Sequence, residues 1–207
     1  MLLAAHITSP DGYTPDPDLT AAGRLLAPVA DVEAEPRMHA AVQALQRYDG
    51  RLSRSLAGSS NGVGALQQEL SLFIAWADVA QRDLRLASES ADGWPASRVD
   101  IEAVYKARGQ AHVAAELLQA TFDADPSLTA SRDISEGRTR AIQAWRKAAN
   151  FSPLFISSPG QTNGFLSDHP ATMGWYISEA KTATEHLSAA LTEQAKIEMN
   201  LIASLQP

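Results

Sequence analysis

RVDIEAVYKARGQAHVAAELLQATFDAD, residues 98–125, decides the fold class. Ile101, Val104, Tyr105, Arg108, His112, Ala115, Leu118 and Phe122 recur along it at spacings of three and four, the period of one helix face. Ser97 is placed to cap the start, and Pro126 to stop the end. The pattern predicts a helix of about 25 residues, too long for a strand and too regular for a loop.

The same period appears on both sides of this stretch. Residues 64–90 carry Leu66, Leu70, Phe73, Ile74, Ala77 and Leu84 on one face, and Leu72 and Trp76 off it predict packing on two sides. Residues 37–57 follow Pro36, a suitable first helical residue, with Met38, Val42, Leu45, Leu52 and Leu56 as the stripe. Residues 131–150 place Ile134, Arg138, Ile142 and Trp145 together. A long last helix over 170–203 opens at Pro170 and carries Met173, Tyr176, Ile177, Ala180, Leu187 and Leu191. GSSNGVG (58–64) and DGWPAS (92–97) are the turn-forming breaks between these helices. GSSNGVG lacks the Gly-Lys-Ser/Thr ending of a phosphate loop and has no strand before it.

The first 35 residues differ, because Pro10, Gly12, Pro15, Pro17 and Pro28 interrupt helix by fixing φ and removing donors. One short helix is expected there, near Leu19–Ala27, with Asp18 as its N-cap. In FSPLFISSPGQTNGFLSDHP (151–170), LFIS and GFLS flank a turn-forming stretch. The expected fold is therefore all-α: a single-domain antiparallel helical bundle with one ordered loop or small hairpin near 151–169. Residues 1–35 form an irregular N-terminal segment, and 36–207 the helical domain.

Composition narrows the function classes. The 207 residues are 45% hydrophobic and 20% charged, with a formal net charge of -7, a balance that favours solubility and repels polyanions. The basic residues are scattered, so no stripe follows a phosphate backbone and no nucleic-acid partner is expected. Cysteine is absent, which excludes disulfides, thiolate catalysis and Cys-ligated metal. The longest apolar run, Leu72–Ala77, is far short of the roughly 20 residues that span a bilayer. MLLAAHITSPDG, at the start, lacks the basic and apolar regions of a signal peptide, so either the protein is cytoplasmic or a targeting segment lies upstream.

The chemistry-bearing residues are few. None of His6, His39, His112, His169 and His186 pairs with another at helical metal-site spacing, so no metal or other cofactor is expected and folding should need none. Ser157, Ser158 and Ser167 lie near Asp168 and His169, but SSPGQTNG does not match the serine-hydrolase elbow, and Asp168 or His169 is expected instead to cap the helix at Pro170. Tyr105, Arg108 and His112 share the predicted core-facing stripe, where an unpaired guanidinium would cost several kcal/mol. Asp168, Glu179 or carbonyls of the 151–170 loop could compensate it, making Arg108 a tether for that loop. On this basis Arg108→Ala should cost about 3–5 kcal/mol. The competing arrangement is a ligand pocket under a lid running from Asn163 to His169.

From Met38 onward the order of features resembles a bacterial domain-of-unknown-function family, number 2333. The resemblance rests on RMHAAVQALQRYDGRL, VYKARGQAHVAAELLQATFDAD and SPLFISSPGQTNGFLSDHPATMGWYISEAKT. The last is the most specific, with its Pro-Gly or Asn-Gly turn, Asp-His pair and aromatic helix start in that order. Members typically have an N-terminal membrane anchor before a helical region. The resemblance implies an envelope-associated helical domain and brings no catalytic residues, and this chain departs from the pattern in lacking the anchor.

Two functions follow as expectations. One is a non-catalytic helical interaction or scaffold domain at the bacterial envelope, with a protein partner or self-association and with membrane contact only through such an anchor. The other is a small-ligand binder or hydrolase, with a pocket between the 98–124 helix and the 151–169 loop built from Tyr105, Arg108, His112, Asn163, Asp168 and His169.

Overall fold

A computed structural model of the chain describes residues 17–26, 34–52, 63–89, 96–129, 131–157 and 168–204. Among these residues the fold is all-α, with six α-helices and no strand. They are α1 (Pro17–Leu26), α2 (Ala34–Leu52), α3 (Val63–Glu89), α4 (Arg98–Ala124), α5 (Arg132–Ala149) and α6 (His169–Ser204), with a 3-10 turn at Pro126–Thr129. The chain divides into two compact units, Met1–Gln68 and Glu69–Pro207, the boundary falling within α3.

In the first unit α1 packs on α2. Asp18 is not the N-cap expected of it, because the helix already begins at Pro17, whose fixed φ suits a first turn. Its carboxylate instead accepts from Arg47 Nε at 3.0 Å and from Arg51 Nη1, and these guanidiniums, Arg51 foremost, hold it below the usual carboxylate range. Helix α2 starts two residues before Pro36, which the first turn tolerates because its missing N–H would have no helical partner there. Its inward face is Ala41 and Ala44, whereas Met38 is 59% exposed and Val42 is also on the surface.

The second unit is an antiparallel four-helix bundle, and its cross-links fix the directions. Thr121 and Lys106 of α4 meet Glu69 and Asp83 of α3, so the later residue of one helix faces the earlier residue of the other. Arg138 and Ala149 of α5 meet Asp123 and Arg108 of α4 in the same opposed order. Asp168, just before α6, and Lys181 of α6 return to Ser88 and Asp78 of α3. The result is an up-down-up-down arrangement with α6 back beside α3.

Alanine makes this packing close. The buried face of α4 is Ala103, Val104, Ala107, Ala111, Ala114, Ala115, Leu118 and Phe122. That face shares Val104, Ala115, Leu118 and Phe122 with the stripe drawn through the larger side chains and is rotated from it by roughly 70°. Small residues let helix backbones approach, and the larger side chains of α3, α5 and α6 fill the core: Phe73, Trp145, Met173, Ile177, Leu187 and Leu191 are fully buried. Gly137 of α5 serves the same end, since a Cβ there would lie 3.3 Å from Leu187 Cδ1.

Glu69 is one of the buried polar residues among those described, with Asp100, Ser157 and Thr184. Its Oε2 accepts from Thr121 Oγ1 at 2.9 Å, while its Oε1 is buried without a hydrogen-bond partner among the described residues. Burial raises the carboxyl above its ordinary value, against the Thr121 hydrogen bond, which lowers it. The folded state therefore keeps a proton that the unfolded chain releases, and stability falls as pH rises from about 4.5 through the raised folded value. Glu69→Gln should flatten that decline in urea melts across pH. The variant should exceed the parent in stability at pH 8 and lose its advantage at pH 4. An identical pH profile would mean that Glu69 is solvated.

Candidate functional site

Residues 151–157 lead from α5 towards α6 as an ordered loop without strand, and their placement depends on both neighbouring helices. The second limb of the expected hairpin, GFLS, lies outside the described residues, as do Asn163, Ser158 and Ser167. Helix α5 ends at Ala149, whose carbonyl would lack a helical partner. Arg108 supplies one: its Nε donates to Ala149 O at 2.9 Å, and its Nη1 reaches Ser152 Oγ at 3.4 Å. The guanidinium thus sits at the negative end of α5 and ties the start of the loop to α4.

This placement corrects the polar set read from the sequence. Arg108 is half-buried at the bundle edge, Tyr105 is 51% exposed and His112 is exposed. The three share a helix side, but that side points outward, because the alanine stripe takes the core. The smaller burial also lowers the expected cost of Arg108→Ala to about 1–2 kcal/mol, from one charge-assisted hydrogen bond and a helix-end charge. Denaturant melts should show Arg108→Lys recovering part of the loss. A loss of 3 kcal/mol or more would restore the fully buried charge.

At the other end of the loop, Asp168 is the N-cap of α6, its Oδ1 accepting from Ala171 N at 2.9 Å. Its Oδ2 accepts from Ser88 Oγ at 2.7 Å, which anchors the cap to α3. His169 Nδ1 lies 3.0 Å from Ser157 N and 2.8 Å from Ser157 Oγ. A backbone N–H can only donate, so Nδ1 carries the lone pair and the ring proton resides on Nε2. His169 N completes the clasp by donating to Ser157 O at 3.1 Å.

The Ser157–His169 pair has the distance of a nucleophile and its base but not the surroundings. Ser157 is 0% exposed, its backbone N–H already occupies Nδ1, and the adjacent carboxylate is engaged as a helix cap. These contacts close the loop onto α6.

What the clasp supports is an open trough along the α5–α6 seam. One part, about 890 Å³, is lined by Gln143, Arg146, Lys147, Phe151, Trp175 and Tyr176 among others, with His169 at its end. The second, about 420 Å³, continues past Arg140, Glu179 and His186, and the two share Gln143, Lys147 and Trp175. The trough lies on α5 and α6, not on the 98–124 helix. Its aromatic floor is continuous: ring centroids are 5.0 Å apart for Trp175–Tyr176, 5.6 Å for Tyr176–Phe151 and 5.9 Å for Phe151–His169.

Of the trough residues the sequence pattern singled out His169 alone; it assigned Tyr176 to the apolar stripe of the last helix and gave no sign of Trp175, Arg146 and Lys147 as a group. Trp175 is 57% exposed on the polar side of α6. An indole off the apolar stripe was the available signal, since a buried face would normally claim it. Among the described residues no cluster of three or more His, Asp or Glu is arranged to hold a metal ion, and no helix is long and apolar enough to cross a membrane. Comparison with family models, curated proteins and solved structures finds no match to this chain.

Proposed function

We propose that this chain is a non-catalytic helical interaction domain whose working face is the trough between α5 and α6. The observation that carries this is Trp175, a large indole held in the open by packing against Tyr176 and flanked by Arg146 and Lys147. Trp, Tyr and Arg are the residue types that dominate binding energy at protein interfaces. A rigid aromatic floor loses little side-chain entropy on association, and the clasp at His169 and the Arg108 clamp hold that floor before a partner arrives. The same clasp argues against hydrolysis, because it keeps the Ser157 hydroxyl inside.

We further propose, on the sequence resemblance to family 2333 alone, that this domain works at the bacterial envelope. Site-specific photo-crosslinking in the source cells tests the interaction itself, with a photo-reactive phenylalanine replacing Trp175 in one strain and exposed Glu116 of α4 in another. A discrete adduct from position 175 and none from 116 is expected. Equal labelling at both positions, or none at 175, would defeat the proposal. Recovery of the chain in the cytosolic fraction of the same cells, and in neither the membrane nor the periplasmic fraction, would end the envelope placement.

A further inference from the structure

Resting on the trough as a binding face, we infer that its partner is an acidic amphipathic α-helix of another protein. From His169 to His186 the trough runs along 17 residue steps of α6, about 25 Å at 1.5 Å per residue, which matches about 16 residues of a partner helix. The long walls are side chains of α5 and α6, with Phe151, Ser152 and Pro153 of the loop at one end, and the described residues include no strand, so an extended peptide would find no sheet edge to join. A helix satisfies its own backbone and needs only side-chain complementarity, the groove-binding mode of amphipathic segments.

Charge selects the partner's composition. In a chain of net charge -7, the α5 wall presents Arg140, Arg146 and Lys147. Arg140 is engaged by Glu136, but among the described residues neither Arg146 nor Lys147 is held in an ion pair. Their position in the last turn of α5 suits the helix dipole, yet that role leaves both side chains free to meet a carboxylate. The α6 wall differs: Glu179 lines it, and its Oε2 is buried without a hydrogen-bond partner among the described residues. The partner helix therefore carries Asp or Glu on the flank facing α5. It carries apolar residues at i, i+3, i+4 and i+7 over Trp175, Tyr176 and Phe151, and a Lys, Arg or amide donor opposite Glu179. This asymmetry fixes which way the helix lies.

The purified full chain can be titrated with fluorescein-labelled 16-residue helical peptides. One has Leu and Phe at those anchor positions and Glu on one flank, and the other has Lys in place of Glu. The acidic peptide should bind at least tenfold more tightly than the basic one, and more weakly as salt rises. Trp175→Ala should weaken it at least tenfold, as should the double variant Arg146→Gln and Lys147→Gln, both with unchanged circular dichroism. Equal affinity for the two peptides, with binding still lost in Trp175→Ala, would overturn the acidic partner but leave the trough as an interaction face. No peptide binding together with no crosslink from position 175 would remove both. Phosphatidylglycerol vesicles binding through Trp175 where the acidic peptide does not, or a concentration-dependent dimer abolished by Trp175→Ala, would also overturn the inference.

Discussion

Trp145→Ala is expected to remove about 3–5 kcal/mol of stability, the largest loss from any one side chain in the bundle. The indole is fully buried where α3, α5 and α6 meet, with Phe73 edge-on at 6.3 Å. Its Nε1–H donates to Thr184 Oγ1 at 2.9 Å, and Thr184 in turn donates to Ala180 O at 2.7 Å. Truncation therefore leaves a large apolar void between helices too rigid to close it. Trp145→Phe separates the contributions. It keeps most of the volume and does not orphan the Thr184 hydroxyl, whose own donor bond to Ala180 remains, so it should cost only about 1–2 kcal/mol. Urea melts read both variants, and a loss below about 1 kcal/mol for the alanine variant would contradict this core.

The second large effect is expected at His169, whose Nδ1 holds the loop at Ser157 while its ring lines the trough beside Phe151. His169→Ala leaves the buried N–H of Ser157 without its acceptor, at about 1–3 kcal/mol. It also removes ring contacts with Phe151 and Phe155, at centroid separations of 5.9 and 6.1 Å, each worth about 0.5–1.5 kcal/mol. His169→Asn is the discriminating variant, because its Oδ1 stands as many bonds from the backbone as Nδ1 and can accept from Ser157 N. It should recover the hydrogen-bond part and not the aromatic part. Thermal melts of the two variants should therefore separate clearly. If they coincide, the Nδ1 hydrogen bond contributes nothing, and a loss below 0.5 kcal/mol in both would mean that the loop does not depend on His169.

These two residues lie on opposite sides of what a one-dimensional pattern can carry. The period of three and four was strong enough to establish the helical class, the four long helices and the shorter one near 131–150, with starts within about three residues of those observed. Ser97 was legible as a cap, and the second cap as Asp168 or His169, because a cap is a local event: the side chain satisfies N–H groups two or three residues away, and the structure gives the second role to Asp168. The partner of Ser157 was also close in sequence, and the short 151–169 connection brings it to His169.

Face assignment within helices was less secure where alanine carried the contact. In α2 and α4 the eye follows Met38, Val42, Ile101 and Tyr105, yet Ala41 and Ala44 are buried in the first unit and Ala107 and Ala111 in the second, because close backbone approach rewards small side chains. That rotation moved Arg108 from an expected core charge to a clamp on Ala149 O, 41 residues away. The trough was beyond sequence reasoning for a related reason. Arg146 and Lys147 on α5 and Trp175 on α6 look like ordinary surface residues until antiparallel packing sets the two helices side by side. The sequence by itself determined the all-α class, the helix order and the cap at Ser97, since periodicity and capping are local. Only the tertiary structure decided which faces are buried and that an aromatic floor meets a basic wall, because both depend on distances between helices that no single helix encodes.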